Sequence, residues 1–241
     1  MQAIQASEDS QRRQTNDPTA RKPSSSRRSR ILRCIIGTVL CVAILALSLR
    51  SSRDYILRSI GRLIFLQQPL PKSADIIVVA IDADGAGTLE AADLVHRGLS
   101  TRVAVFNDPP TAVDREFLRR GLPYHDQGAL SIHQLQMLGV QNVALIPRVA
   151  SGSGQEGEIL PKWCEEQNYQ SVVLVTSGEH SRRLNRIMRR SLGGHRITVT
   201  IDVSPYAGFS LDSWWKTRAG VRLGIFELQK LILDVVLHPL S

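Results

Sequence analysis

From Asp75 onward the chain alternates short unbroken apolar runs with stretches whose apolar residues recur every three or four positions. Asp75–Ile81 and Ser171–Thr176 are β-branched runs without a polar face, the pattern of strands buried on both sides. Arg102–Phe106, Asn142–Ile146 and the alternating Arg196–Ile201 predict further strands. Between them the spacing predicts helices over Thr88–Arg97, Asp114–Arg120, Ser131–Leu138, Gly157–Gln167 and Ser181–Leu192. Gly98, Gly121 and Gly139 supply stops for the first three. A stripe of Val221, Ile225, Leu228, Leu231, Ile232 and Val235 predicts a closing helix over Thr217–Leu237. Strands alternating with helices imply an α/β domain: a mostly parallel sheet, Rossmann-like and doubly wound, with helices on both faces. Ligands of such sheets bind beyond the carboxyl ends of the strands, which directs attention to the loops after Ile81, Ile146 and Thr176.

The N-terminal part follows other rules. Residues 1–30 are rich in Ser, Gln, Arg and Pro and predict a disordered basic arm, because they cannot bury enough surface to offset ordering entropy. Cys34–Leu49 carries no charge and no polar face, and residues 31–50 supply about the 20 positions that a bilayer core requires. The long preceding segment and the poor cleavage site LALSLRSS favour an uncleaved signal anchor over a removed signal peptide. Arg21, Lys22, Arg27, Arg28, Arg30 and Arg33 before it, against Arg50, Arg53, Arg58 and Arg62 after it, favour a cytoplasmic N-terminus. Residues 51–72 read as an amphipathic linker ending at Pro69 and Pro71. Its helix lies either on the membrane surface or against the domain of residues 73–241.

Charge sharpens this division. The net charge of +8 suggests nucleic acid, yet residues 1–70 hold 12 Lys+Arg against 4 Asp+Glu, while residues 71–241 hold 18 of each. The α/β domain is therefore neutral, and a nucleic-acid partner is not expected. Three cysteines give no disulfide framework and no zinc spacing; Cys164, alone in the domain, is expected to be buried.

The candidate chemistry lies at the strand ends. Thr176 and Ser177 place hydroxyls where a helix begins, and the unpaired first-turn amides there favour an anion. His180 can transfer a proton near neutral pH, and Arg183 can grip a phosphate or carboxylate. Arg182, Arg186, Arg189 and Arg190 read instead as a solvated helix face. After Ile146 a Gly/Ser loop brings Ser151 and the carboxylate of Glu156 to another helix start.

These pieces, in this order, resemble the YdcF/SanA/ElyC-like family. The matches are Asp75, Ser151 and Glu156, then Val175, Thr176, Ser177, His180 and Arg183, and later Ser213-Trp214-Trp215 with Glu227 in the last helix. Gly154 and Gly157 stand where that family has Thr and Asn, and Asp82-Ala83-Asp84-Gly85 replaces its Gly-rich first turn. The resemblance implies a domain on the extracytoplasmic side of the bacterial inner membrane, serving envelope or surface-polysaccharide maintenance. The expected partners are the lipid bilayer, through residues 31–50, and an anionic small molecule or lipid-linked sugar phosphate.

Two alternatives stand beside this. The Asp-x-Asp-Gly after the first strand is similar to that of haloacid-dehalogenase-like phosphatases, in which Asp82 and Asp84 would serve a Mg²⁺-dependent hydrolase. That class needs a later acidic pair after a strand, and Asp202 stands alone; a turn stabilised by Asp side chains is the simpler reading. A binding module without catalysis is the other alternative, with Trp214 and Trp215 stacking on a sugar, meeting the membrane or packing in the core.

Overall fold

The computed structural model describes residues 25–48, 50–123 and 126–239. The chain divides into two units, residues 1–53 and 54–241. The first holds helix α1 (Ser25–Ser48). Most of the arm expected to be disordered, and Leu49 in the apolar run, lie outside the described residues. Among the described residues no helix is long and apolar enough to cross a membrane.

In the second unit the strands are β1 (Ile76–Val79), β2 (Arg102–Asn107), β3 (Asn142–Val149), β4 (Ser171–Thr176) and β5 (Thr198–Val203). Every pairing between them is parallel, and their order is β3-β2-β1-β4-β5. The register sets Ile77 against Val103 on one side of β1 and Val78 against Leu174 on the other. Helix α2 (Arg50–Ile64) precedes the sheet. Helices α3 (Asp84–His96), α4 (Ala112–Arg119), α5 (Gln127–Met137), α6 (Ser153–Glu166), α7 (Ser181–Ser191) and α8 (Arg218–Leu237) follow in turn.

Alternate residues of β1 feed two cores, as a strand's period of two requires. Ile77 and Val79 pack with Ala91 and Leu94 of α3 and Leu135 of α5. Ile76 and Val78 pack with Leu160 and Trp163 of α6 and Leu184 and Met188 of α7. This is the doubly wound arrangement that the alternation predicts. The order reverses between β1 and β4, which opens a crevice at their carboxyl ends. At the opposite edge the Asp75 carboxylate accepts from the Gln170 and Ser171 amides at 2.8 and 2.9 Å, holding the starts of β1 and β4 together. Those two amides hold its pKa below the ordinary value.

Several boundaries differ from expectation for identifiable reasons. β3 runs on to Val149 through Pro147, which is tolerated because β3 is an edge strand. Four helices begin early: α3 at Asp84 rather than Thr88, α4 at Ala112 rather than Asp114, α5 at Gln127 under an Asp126 cap, and α6 at Ser153 rather than Gly157. β5 is shifted to Thr198–Val203, so Asp202 belongs to it. Its edge is covered by Gln67 and Gln68, whose side-chain oxygens accept from the Val203 and Ile201 amides.

Of the two readings of residues 51–72, the helix packs on the domain. Ile64 is buried, and Trp214 donates its Nε1–H to the Leu57 carbonyl at 3.0 Å. The Trp214 indole lies close to Gly61 and Gly224, where a Cβ would come within 3.0 and 2.7 Å of it. Trp214 is thus a core residue, with Trp215 half-buried beside it edge to face. Cys164 is buried as expected, and burial pushes its thiol up to about 12.

The turn after β1 depends on Gly87. A Cβ there would stand 2.4 Å from Ala83 Cβ and 2.7 Å from Val79 Cγ1, so only glycine lets α3 approach the strand. Gly87→Ala is expected to lower stability by about 1–3 kcal/mol, the usual cost of overpacking. Urea unfolding would show it as a lower midpoint at unchanged slope.

Candidate functional site

The crevice joins the three loops that the strand pattern singled out. Ala80 follows β1 in extended backbone and Ile81–Ala83 form a 3₁₀ turn. The Asp82 carboxylate leaves that turn towards α6 and α7 instead of capping it. Asp82 Oδ2 accepts from Ser153 Oγ at 3.2 Å and lies 3.5 Å from His180 Nδ1 and 3.9 Å from an Arg183 Nη2. The reading of a turn stabilised by its own Asp side chain is therefore corrected at this position. Asp84 follows with φ 44° and ψ −143°, a strained conformation for a residue with a Cβ. Asp84 lines a small cavity on the α5 side together with Asp108, Gln127 and Ser131. Burial, and then the charge of Asp82, raise the Asp84 pKa.

From the end of β4, Thr176 and Ser177 are buried, and Thr176 Oγ1 has no hydrogen-bond partner among the described residues. No side chain caps α7, and Ser177 Oγ has no hydrogen-bond partner among the described residues. Ser181 Oγ instead donates to the Gly178 carbonyl at 2.7 Å and accepts from the Leu66 amide at 2.7 Å. One turn of α7 places His180 and Arg183 on the same face. Both meet Glu227 of α8: His180 Nδ1 lies 2.9 Å from its Oε2, Arg183 Nε donates to that oxygen at 3.0 Å, and Lys230 Nζ donates to Oε1 at 2.6 Å.

The electrostatics follow from this packing. Burial opposes ionisation of Glu227, but the His180 hydrogen bond and charge, with Lys230 and Arg183, outweigh it and hold the carboxyl at about 2. Burial likewise disfavours charged His180; the hydrogen bond to Glu227 and the charges of Asp82 and Glu227 prevail, and its pKa is raised. Glu156 is the converse case. It is fully buried, its Oε1 accepts from the Ile81 amide at 2.8 Å, and its Oε2 has no hydrogen-bond partner among the described residues. Burial, with Asp82 acting in the same sense, pushes it up to about 7 against the effect of the Ile81 amide.

The expected residues thus separate. Asp82, Glu156, Thr176, His180 and Arg183 gather at the switch point. Ser151 does not: it is exposed, and its amide and hydroxyl both donate to Gln155 Oε1, at 2.6 and 2.7 Å. Ser153 takes the place beside Asp82, two residues further on in the same loop. Lys230 was not singled out either, although its spacing of three from Glu227 on a helix is a readable signal. The arginines expected on a solvated face are mostly engaged. Arg182 donates to the Arg62 and Phe65 carbonyls, and Arg186 and Arg190 both bond Asp234. Gly157, which stands where the resembled family has Asn, lets α6 cross α7: a Cβ there would lie 2.6 Å from Ile187 Cγ2.

Chemically the crevice offers a guanidinium and an imidazole braced from behind by a buried carboxylate, with the partly exposed Asp82 in front. Glu156 supports the turn that carries Asp82 and titrates near neutrality. Among the described residues no group of three or more His, Cys, Asp or Glu side chains is placed to hold a metal ion. No protein-family model, curated protein or solved structure matches this chain.

Proposed function

We propose that this chain is a membrane-anchored, YdcF-like protein whose α/β domain lies on the extracytoplasmic side of a bacterial inner membrane. It binds a phosphate-bearing or sugar-phosphate ligand there, in the service of cell-envelope or surface-polysaccharide maintenance. The observation that carries the reading is the Arg183–His180 pair, fixed by Glu227 at the switch point of a doubly wound sheet. Both side chains are donors in the protonated state and suit the oxygens of a phosphate. The resemblance in Val175–Arg183 supplies the envelope context, and the apolar run within residues 31–50 supplies the anchor.

The test is ligand binding by the full chain in detergent micelles, against inorganic phosphate, nucleotide-sugars and polyprenyl phosphates. Arg183→Ala and His180→Ala are expected to weaken binding at least tenfold, since a hydrogen bond to a charged group contributes about 1.5–3 kcal/mol. Asp82→Asn is expected to tighten it, because the carboxylate competes with the ligand for both cations. Absence of phosphate binding in the parent chain would overturn the reading. Loss of binding in Asp82→Asn would favour the Mg²⁺-dependent hydrolase, which needs that carboxylate. Phosphate binding without turnover of any of these ligands would identify a non-catalytic module.

A further inference from the structure

An exposed apolar surface lies away from the crevice, on the outer side of α8. Phe226, Ile232, Leu233, Val236 and Leu237 are exposed there, Val236 at 70% and Leu237 at 62%. A groove of about 550 Å³ runs between α7 and α8 up to Leu63 at the end of α2, with Leu231 among the residues lining it. Contiguous apolar surface of this kind marks an interaction site. Its rim is basic. Arg182, Arg186 and Arg189 line the groove, and Arg190 lies one turn of α7 beyond Arg186. Arg186 and Arg190 both bond Asp234, and Arg189 is exposed.

We propose that this face docks on an anionic lipid bilayer, with the apolar side chains of α8 entering the acyl boundary and the α7 arginines meeting headgroup phosphates. Apolar residues flanked by Arg are the composition of interfacial helices, and basic residues near an anionic surface each add about 1 kcal/mol. Arginine stems can also lie along the apolar ridge while their guanidinium groups reach the phosphates. A second copy of the chain fits less well, since a two-fold contact through one patch brings two arginine-rich rims into one interface. The inference shares the membrane reading of the proposed function but does not depend on the phosphate ligand. Arg183 and Glu227 ride on the same two helices, so docking would hold the crevice about one helix width, roughly 10 Å, from the headgroups.

The experiment reconstitutes the full chain, in a Cys34→Ser, Cys41→Ser background, into vesicles of phosphatidylcholine with or without phosphatidylglycerol. Leu233→Cys and Val236→Cys carry an environment-sensitive fluorophore, and Met137→Cys on α5, an exposed position, serves as the control. Expected are a blue shift and quenching by brominated lipid at the two α8 positions in the phosphatidylglycerol vesicles. The quenching should weaken with added salt or with Arg189→Glu and be absent at Met137→Cys. Unquenched α8 labels in anionic vesicles would overturn the proposal. So would label-to-label energy transfer that grows with protein density in place of lipid quenching, which would assign the face to a second copy. Phosphate affinity of the same variants in micelles reports on the crevice separately. Its loss with docking intact, or the reverse, shows which of the two readings fails.

Discussion

Glu227→Ala is expected to cost the α/β domain about 3–5 kcal/mol, the usual penalty for removing one partner of a buried ion pair. Glu227 is 2% exposed and serves three cations at once, His180, Arg183 and Lys230. Its loss leaves His180 and Arg183 partly buried without the charge that neutralises them. Glu227→Gln keeps the size and an acceptor and should cost less, so the difference between the two variants isolates the charge. The pH dependence carries a signature. With Glu227 held at about 2 in the folded chain, its contribution is present above its ordinary value of 4.5 and is lost as the pH falls towards 2. His180, raised from 6.5, contributes fully below 6.5, and that contribution is lost as the pH rises through the higher folded value. Together they stabilise the fold most between 4.5 and 6.5. Urea unfolding of parent and Glu227→Gln across this range should show the gap narrowing on both sides. A gap independent of pH would show that packing, and not charge, sets the cost.

Glu156→Gln is expected to act in the opposite direction. A carboxyl pushed from 4.5 to about 7 must retain its proton, or bear a charge that burial disfavours, in a folded chain whose unfolded form ionises freely. Stability of the parent should therefore fall as the pH rises from 4.5 to about 7 and level off above. A shift of that size corresponds to a penalty of about 3 kcal/mol on the alkaline side. Glutamine keeps an acceptor for the Ile81 amide and has no charge to bury. The variant should match the parent near pH ~4 and exceed it by up to about 3 kcal/mol near pH ~8. Equal stability of the two at both pH values would show that the carboxylate is satisfied in the crevice by some other means. If the crevice also turns its ligand over with Glu156 as general base, turnover should vanish in this more stable variant. That combination would mark Glu156 as a residue kept for chemistry at the expense of the fold.

Much of this was readable from local pattern. The β-branched run in Asp75–Ile81 and the SVVLVT strand announce a buried parallel sheet, because a strand covered on both faces has no position for a polar side chain. The alternation with helical spacing places the crevice beyond Ile81 and Thr176, since the connections of a doubly wound sheet leave those strand ends open. His180 and Arg183 could be named together because both fall just beyond the carboxyl end of β4, at the edge where such sheets bind ligands.

What the tertiary structure decided is everything that joins distant segments. Glu227 lies 44 residues from Arg183, on a helix whose docking against α7 no local period encodes. Ser153 rather than Ser151 reaches Asp82 because α6 begins earlier than its apolar residues suggest, which turns the loop by part of a helical turn. The arginines of α7 read as solvated on a bare amphipathic pattern, yet Asp234 of α8 captures two of them. Helix α2 finds its place through Trp214, which needs small neighbours at Gly61 and Gly224, 163 positions apart. Sequence alone set which residues form strands, which form helices and where their ends converge, because those depend on neighbours along the chain. The pairing of charges, and with it the protonation state of the crevice, depends on burial and on partners across the fold, and only the packed structure supplies both.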